Sequence, residues 1–312
     1  MLPLVFNSSV GLSILIPVYN LNVTSLVRVL SAQLEKTGKV GEIVLLDDGS
    51  DPTTWTANES LKNNPAVSLF RNEKNEGRML ARQKLSGLAR YDYLLFLDCD
   101  SEIIKEDFLA VYFDLMKENI SLASGGRVYA ETAPAECSYM LHWKYGRKRE
   151  SRQGKTGYRT GTGFMSNNFL IKKEIFKNLD DTLQLPGYGH EDTWWGIQFY
   201  QAGIACRSIN NPVLHASIEK AELFIEKSEK ALANLLLLEK KIDRKLISKH
   251  VRIFRWYRRL KSAGLSGPYL FFEKIFHGYF RKNLLSCKPL LFFFDCYRLA
   301  VLIKMGMEKL IA

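Results

Sequence analysis

Asp98 and Asp100 stand two positions apart at the end of an apolar run over residues 91–97. In an extended chain, residues i and i+2 point the same way, so both carboxylates face one site while Cys99 turns into the core. Two neighbouring acids repel each other. A hard divalent cation shared with a bound diphosphate would relieve that repulsion. Asp is also common in turns, so Asp-x-Asp alone equally well marks the exit from a strand. A second acidic pair, Glu191-Asp192, follows Gly187-Tyr188-Gly189-His190 and precedes Trp194 and Trp195. The positive end of a helix dipole favours carboxylates there, which makes capping one reading. The other is chemical: a carboxylate can take the proton of an attacking hydroxyl, and aromatic faces stack on pyranose rings.

The elements that must position these acids follow from periodicity. Residues 12–20 read as a buried strand stopped by Pro17, and 24–36 as a helix with Leu26, Val27, Leu30 and Leu34 on one face. A strand over 41–46 ends in Asp47-Asp48-Gly49-Ser50-Asp51, followed by a helix over 53–61 and a strand over 67–70. Asn75-Glu76-Gly77 turns into a helix over 78–89, and the strand over 91–97 carries the first acidic pair. Strands alternating with helices predict an open, mostly parallel α/β sheet flanked by helices, with ligands bound beyond the carboxyl ends of the strands. Three strand ends carry polar groups: Pro17 to Asn20, Asp47 to Ser50, and Asp98 to Asp100. Beyond them, a helix over 101–119, strands over 121–129, 161–171 and 205–209, and helices over 172–176 and 191–203 are expected. No Gly-x-x-x-x-Gly-Lys-Ser/Thr and no Gly-x-Gly-x-x-Gly after the first strand occurs, so neither a P-loop nor a dinucleotide site is indicated.

The 312 residues, 46% hydrophobic and 25% charged, suit one or two globular domains. The net charge of +11 is uneven. Residues 1–218 hold 24 Lys+Arg against 24 Asp+Glu, and residues 219–312 hold 20 against 9. We therefore expect a near-neutral domain over 1–218 and a helical, basic extension over 219–312. Helices are expected over 219–239 and 241–260. The Phe-rich, Lys/Arg-interrupted segment 268–303 suits an anionic membrane surface, or packing on the body or in a dimer. The five cysteines are scattered without close pairs, which suggests no disulfide framework and a reducing compartment. No signal segment and no run long enough to span a bilayer is apparent. Localisation is expected to be cytoplasmic, peripheral on the inner membrane face. The basic, aromatic segment 142–160 reads as a nucleic-acid patch or, preferably, as a mobile surface loop over an active site; no nucleic-acid partner is expected.

Taken together, Ser13 to Asn20 (SILIPVYN), Asp47 to Asp51 (DDGSD), Asn75 to Arg82 (NEGRMLAR) and Phe96 to Asp100 (FLDCD) resemble glycosyltransferase family 2. The resemblance covers about the first hundred residues and implies the GT-A fold and a nucleoside diphosphate sugar donor. It implies that Pro17 and Tyr19 line the base pocket and that Asp48 accepts from the base, most often uracil. Gly77, with Arg78 or Arg82, would lie near the diphosphate. Asp98 would contact ribose or metal, and Asp100 would ligate Mn2+ or Mg2+. Gln83 stands where the family more often has Asn. Gly187 to Asp192 (GYGHED) is similar to the G-x-G-x-E-D segment of galactosyltransferases, implying Asp192 as general base and Glu191 as a ligand of the acceptor hydroxyl. Trp194 and Trp195 would serve the acceptor side, one facing it and one in the core. Relatives also place a metal-binding His after a strand such as 205–209, which makes His215 a further ligand. Neutral imidazole suits Mn2+ better than Mg2+; His142 and His190 are weaker candidates. The expected activity is inverting, metal-dependent transfer from a probable UDP-sugar to a hydroxyl of a glycan or lipid-linked acceptor. The alternatives are a sugar-phosphate nucleotidyltransferase, whose Gly-rich basic loop residues 12–25 lack, and a non-catalytic binding module at the membrane.

Overall fold

The structure, a computed structural model, describes residues 11–151, 154, 156–160, 164–180, 182, 183, 185, 187 and 189–308. Along the chain run β1 (Leu12–Val18), α1 (Thr24–Thr37), β2 (Gly41–Asp47), α2 (Pro52–Glu59), β3 (Val67–Arg71), α3 (Arg78–Leu88), β4 (Tyr93–Leu97), β5 (Ser101–Glu102) and α4 (Phe108–Lys117). Next come β6 (Leu122–Ser124), β7 (Arg127–Val128), α5 (Met140–Tyr145), β8 (Gly157–Thr160), β9 (Asn168–Lys172), α6 (Lys173–Lys177), α7 (Glu191–Gln201), β10 (Ala205–Ser208) and β11 (Val213–His215). Five helices close the described chain: α8 (Ala221–Lys241), α9 (Arg244–His250), α10 (Arg252–Ser262), α11 (Ser266–Leu284) and α12 (Leu291–Glu308).

The continuous apolar runs become central strands because both faces of the sheet are covered. Leu12, Ile14, Leu15, Ile16, Leu94, Leu95 and Phe96 are all fully buried. The large sheet has the order β3-β2-β1-β4-β9-β6-β10-β8. Strands β3, β2, β1 and β4 are mutually parallel, and β10 is parallel to β6. Strand β9 runs antiparallel between β4 and β6, and β8 antiparallel on β10. Strand order reverses between β1 and β4, which opens a crevice beyond their carboxyl ends. A small sheet, β5-β11-β7, lies beside it.

Several expectations are corrected. The helix expected over 101–119 begins only at Phe108, because Ser101 and Glu102 pair instead with His215 and Leu214. The strand expected over 121–129 breaks at Gly125-Gly126 into β6 and β7, which belong to different sheets. A Cβ at Gly125 would lie 2.3 Å from the Tyr112 hydroxyl and 2.4 Å from the Asn211 carbonyl, and Gly126 has φ +77°. Glycine is what permits the chain to change sheets there. The strand expected from residue 161 begins at Asn168; residues 161–163 lie outside the described residues. Cys137 and Cys287 form a disulfide that the scattered spacing did not suggest, tying the segment before α5 to the α11–α12 connection.

Residues 219–308 do not pack apart from the sheet. Leu232, Leu235, Ile247, Phe254, Leu302 and Ile303 are buried in one cluster with Leu94, Phe96 and Phe169. The helices are therefore placed to hold the site from behind.

Candidate active site

One cavity is assembled at the ends of β1, β2 and β4. It has a volume of about 550 Å³ and is lined by Pro17, Tyr19, Asp48, Gly77, Arg78, Asp98 and Asp100, together with Lys227 and Lys230 of α8. Tyr19 is 49% exposed on its wall, unlike the buried strand residues before it. Asp48 is buried and organises the facing loop. Its Oδ1 accepts from Asn72 Nδ2 (2.7 Å) and the Glu76 amide (3.0 Å), and its Oδ2 from the Gly77 amide (2.9 Å). Gly77 has φ +95° and leads directly into α3, so its backbone turns tightly at the edge of the cavity.

The two acids of the Asp-x-Asp stretch do not share one environment. Asp98 belongs to a buried cluster: its Oδ1 accepts from Arg82 Nη2 at 2.6 Å, and its Oδ2 lies 3.3 Å from Arg127 Nη2 and 3.8 Å from Arg78 Nη1. Asp100 lines the same cavity but has a different near partner. Its Oδ2 is 3.4 Å from His215 Nδ1, and its buried Oδ1 meets no partner among the described residues. Burial opposes ionisation of Asp100, but the His215 hydrogen bond and the charges of His215, Arg127 and Arg78 outweigh it and hold the carboxyl below the usual range. The small sheet creates this pair, since the β5–β11 ladder sets His215 opposite Ser101 and the Ala216 amide donates to the Asp100 carbonyl at 3.0 Å.

Among the described residues no three His, Cys, Asp or Glu side chains surround one point suitable for a metal. The expected trio of Asp98, Asp100 and His215 thus reduces to Asp100 and His215, with Asp98 committed to arginines. An unpartnered carboxylate oxygen beside an imidazole still fits an ion that takes one or two protein ligands and completes its shell with phosphate oxygens and water.

The second acidic pair is divided in the same manner. Glu191 is buried, 3.4 Å from Arg82 Nη1 and 3.7 Å from Arg78 Nη1. Burial alone would raise its pKa, but the charges of Arg78 and Arg82 keep it lowered. Asp192 is half-buried and opens on a different cavity, of about 460 Å³. Burial, with the charge of Glu191 next, pushes its pKa up to about 7, against the Thr193 amide that donates to Oδ1 at 2.7 Å. The two adjacent carboxyls are thus driven apart, Glu191 lowered by its arginines and Asp192 raised by burial.

Helix α8 positions this turn. Asn234 Nδ2 donates to the Gly189 carbonyl at 3.0 Å, and a Cβ at Gly189 (φ +98°) would lie 2.5 Å from Ala231 Cβ. Tyr188 lies outside the described residues.

Several assignments need correction. Trp194 and Trp195 are both buried, Trp195 against Phe169 and Phe176 with Arg82 over its ring, and Trp194 with its indole nitrogen on the Asp180 carbonyl at 3.1 Å. Neither faces a cavity, because α7 turns its apolar side into the core. Arg82 has no exposed surface and binds Asp98, Glu191 and the Ser166 carbonyl (3.0 Å), so it is an internal strut and not a direct diphosphate contact. Glu191 is enclosed with it, buried against the same guanidinium. His142 accepts from the Glu219 amide at 2.9 Å, a structural role.

Arg127, Lys227 and Lys230 escaped the sequence reading. Arg127 bridges Asp98 and Glu150, at 3.3 and 3.6 Å; the Gly125-Gly126 pair before it was the available signal. Nothing local marks the two lysines, which only helix packing brings to the cavity.

A family model described as "Glycosyl transferase family 2" matches residues 13–180. A chondroitin synthase of Pasteurella multocida (strain Pm70) is 28% identical over 146 residues, 45% of this chain and 14% of that protein. The match thus spans about one seventh of that relative's length. Among solved structures, S. aureus TarS 1-349 in complex with UDP-GlcNAc has a TM-score of 0.49 at 16% identity, covering 72% of this chain and 66% of that one. The mannosyltransferase PcManGT from Pyrobaculum calidifontis, in complex with GDP-Man and Mn2+, has a TM-score of 0.48 at 15% identity, covering 73% and 64%.

Proposed function

This chain belongs to glycosyl transferase family 2, and on that premise we propose that it transfers a hexosyl or N-acetylhexosaminyl group from a nucleoside diphosphate sugar, a UDP-sugar first, to a hydroxyl of a glycan or lipid-linked acceptor, with inversion and with a divalent metal. The observation that carries this reading is the cavity at the strand ends, which gathers Tyr19, Asp48, Gly77, Arg78 and Asp100 from four separate stretches of sequence. Tyr19 offers a face to a nucleobase, and Asp48 an acceptor to a base N–H. Arg78, Lys227 and Lys230 bring positive charge to the cavity for the diphosphate.

Asp192 accepts the proton of the acceptor hydroxyl as its oxygen attacks the anomeric carbon. The bond to the nucleoside diphosphate breaks in the same displacement. A pKa near 7 suits a general base at neutral pH. Inversion is supported by Glu191: enclosed by Arg78 and Arg82, it is not free to act as a covalent nucleophile. Asp100 and His215 would hold Mn2+ or Mg2+, which when bound neutralises charge on the leaving diphosphate. Arg82 and Arg127 hold Asp98 fixed at the cavity edge.

The outer side of α11 supports a peripheral attachment to an anionic lipid surface. Phe271, Ile275 and Tyr279, and Phe292 of α12, are 59–68% exposed, with exposed Lys274, Lys282 and Lys288 beside them. This is the pairing of apolar insertion and headgroup attraction that an interfacial helix uses. No helix among the described residues is long and apolar enough to cross a membrane.

The direct test is a thermal-shift screen of nucleoside diphosphate sugars with and without Mn2+. Stabilisation that requires both supports the reading. If no nucleotide sugar stabilises the protein under either condition, the donor assignment fails.

A further inference from the structure

The cavity onto which Asp192 opens is walled on another side by cations. Arg149, Arg252 and Arg298 line it together with Asp295 and His250. Asp295 is the acid of this group, and it is already engaged: Arg149 holds it through two bonds of 2.5 and 2.6 Å, and Arg252 Nη2 lies 3.2 Å away. Arg298 is not neutralised in this way. Its guanidinium lies over the Phe294 ring at 5.3 Å, and its buried Nε meets no partner among the described residues. Both ring nitrogens of His250 are likewise buried and unpartnered among the described residues. Glu150, the remaining acid beside Asp192 in the lining, is held by Arg127 and the Tyr129 hydroxyl. An unsatisfied buried polar atom is costly, and Arg298 and His250 both line the cavity that holds the proposed base.

We propose that this cavity selects an acceptor bearing an oxyanion, a carboxylate or a phosphate, bound by Arg298 and His250 while the attacking hydroxyl lies at Asp192. The guanidinium fork matches the two oxygens of either group, which a neutral sugar lacks. Two guanidinium groups share Asp295, leaving the wall cationic. Four separate elements build it, α9, α10, α12 and the turn after α5, so it is formed by the fold and is not a run of surface charge. The inference rests on Asp192 marking the acceptor side.

The test uses the full chain without donor. Glucuronic acid, glycerol 1-phosphate and glucose are titrated by calorimetry into the wild type, Arg298→Gln and Arg298→Lys, with UDP affinity as a check on folding. One or both anions bind the wild type while glucose does not. Arg298→Gln weakens the anion by about tenfold or more, the effect of losing a charge-assisted hydrogen bond, while Arg298→Lys loses less and UDP affinity is retained. Binding by glucuronic acid alone identifies a carboxylate acceptor, and by glycerol 1-phosphate alone a phosphate one. Glucose binding as tightly as the anions, no anion binding, or anion affinity unchanged in Arg298→Gln overturns the proposal. Because no donor is present, the result stands apart from the nucleotide-sugar screen, whose failure would overturn the transferase reading instead.

Discussion

Arg82 Nη2 donates to Asp98 Oδ1 at 2.6 Å, with no part of the arginine side chain exposed. Through Nη1 the same guanidinium reaches Glu191 at 3.4 Å. One buried residue of α3 thereby fixes the end of β4 relative to the start of α7. Removing one partner of a buried ion pair leaves the other charge uncompensated and costs about 3–5 kcal/mol. Arg82→Met should destabilise the protein by that order in urea unfolding. Arg78→Met, at a partly exposed position, should cost much less while weakening nucleotide affinity. Equal stability loss in the two variants would remove the strut role from Arg82.

Asp192→Asn should lower turnover by about two or more orders of magnitude and leave nucleotide affinity unchanged. In the wild type the general base must be ionised, so kcat/KM should rise with pH through about 7. The same shift has a stability consequence. A carboxyl whose folded pKa is raised contributes stability that is fully present below its unfolded value and is lost as pH rises through the folded one. Asp192→Asn should therefore be more stable than the wild type at pH 8 and gain little at pH 4. A flat wild-type pH–rate profile between 5 and 8 would exclude Asp192 as the titrating base.

Asp100 and His215 face each other, whereas Asp98 faces arginines. Asp100→Asn and His215→Ala should abolish the Mn2+-dependent part of nucleotide-sugar binding, read by calorimetry with and without the ion. Asp98→Asn should weaken nucleotide binding in both conditions and also lower the melting temperature, because it leaves Arg82 buried and unpaired. Loss of metal dependence in Asp98→Asn alone would reverse the assignment.

The exposed aromatic face of α11 should bind vesicles containing phosphatidylserine in co-sedimentation, and added salt should weaken that binding. Phe271→Asp with Ile275→Asp should abolish it while leaving nucleotide-sugar binding intact. Equal binding to neutral and anionic vesicles, or none, would count against the lipid surface.

Sequence alone determined the donor side to a large extent. Buried parallel strands write themselves as apolar runs, and polar residues that follow such a run must lie at the strand end. Pro17, Tyr19, Asp48 and Asp100 were legible for that reason, Gly77 and Arg78 through the resemblance to glycosyltransferase family 2, and all line one cavity. Tertiary structure alone decided what each charge faces. Asp98 and Asp100 are neighbours in the chain, yet one turns to Arg82 and Arg127 and the other to His215, because two different sheets claim the segments around them. Trp194 and Trp195 follow an acidic turn that suggests an acceptor platform, but packing of α7 on the sheet buries both. Lys227, Lys230 and Arg298, and the Cys137–Cys287 bond, depend on contacts between segments far apart in sequence. Local periodicity records which side of an element is apolar; it does not record which distant charge is packed against it.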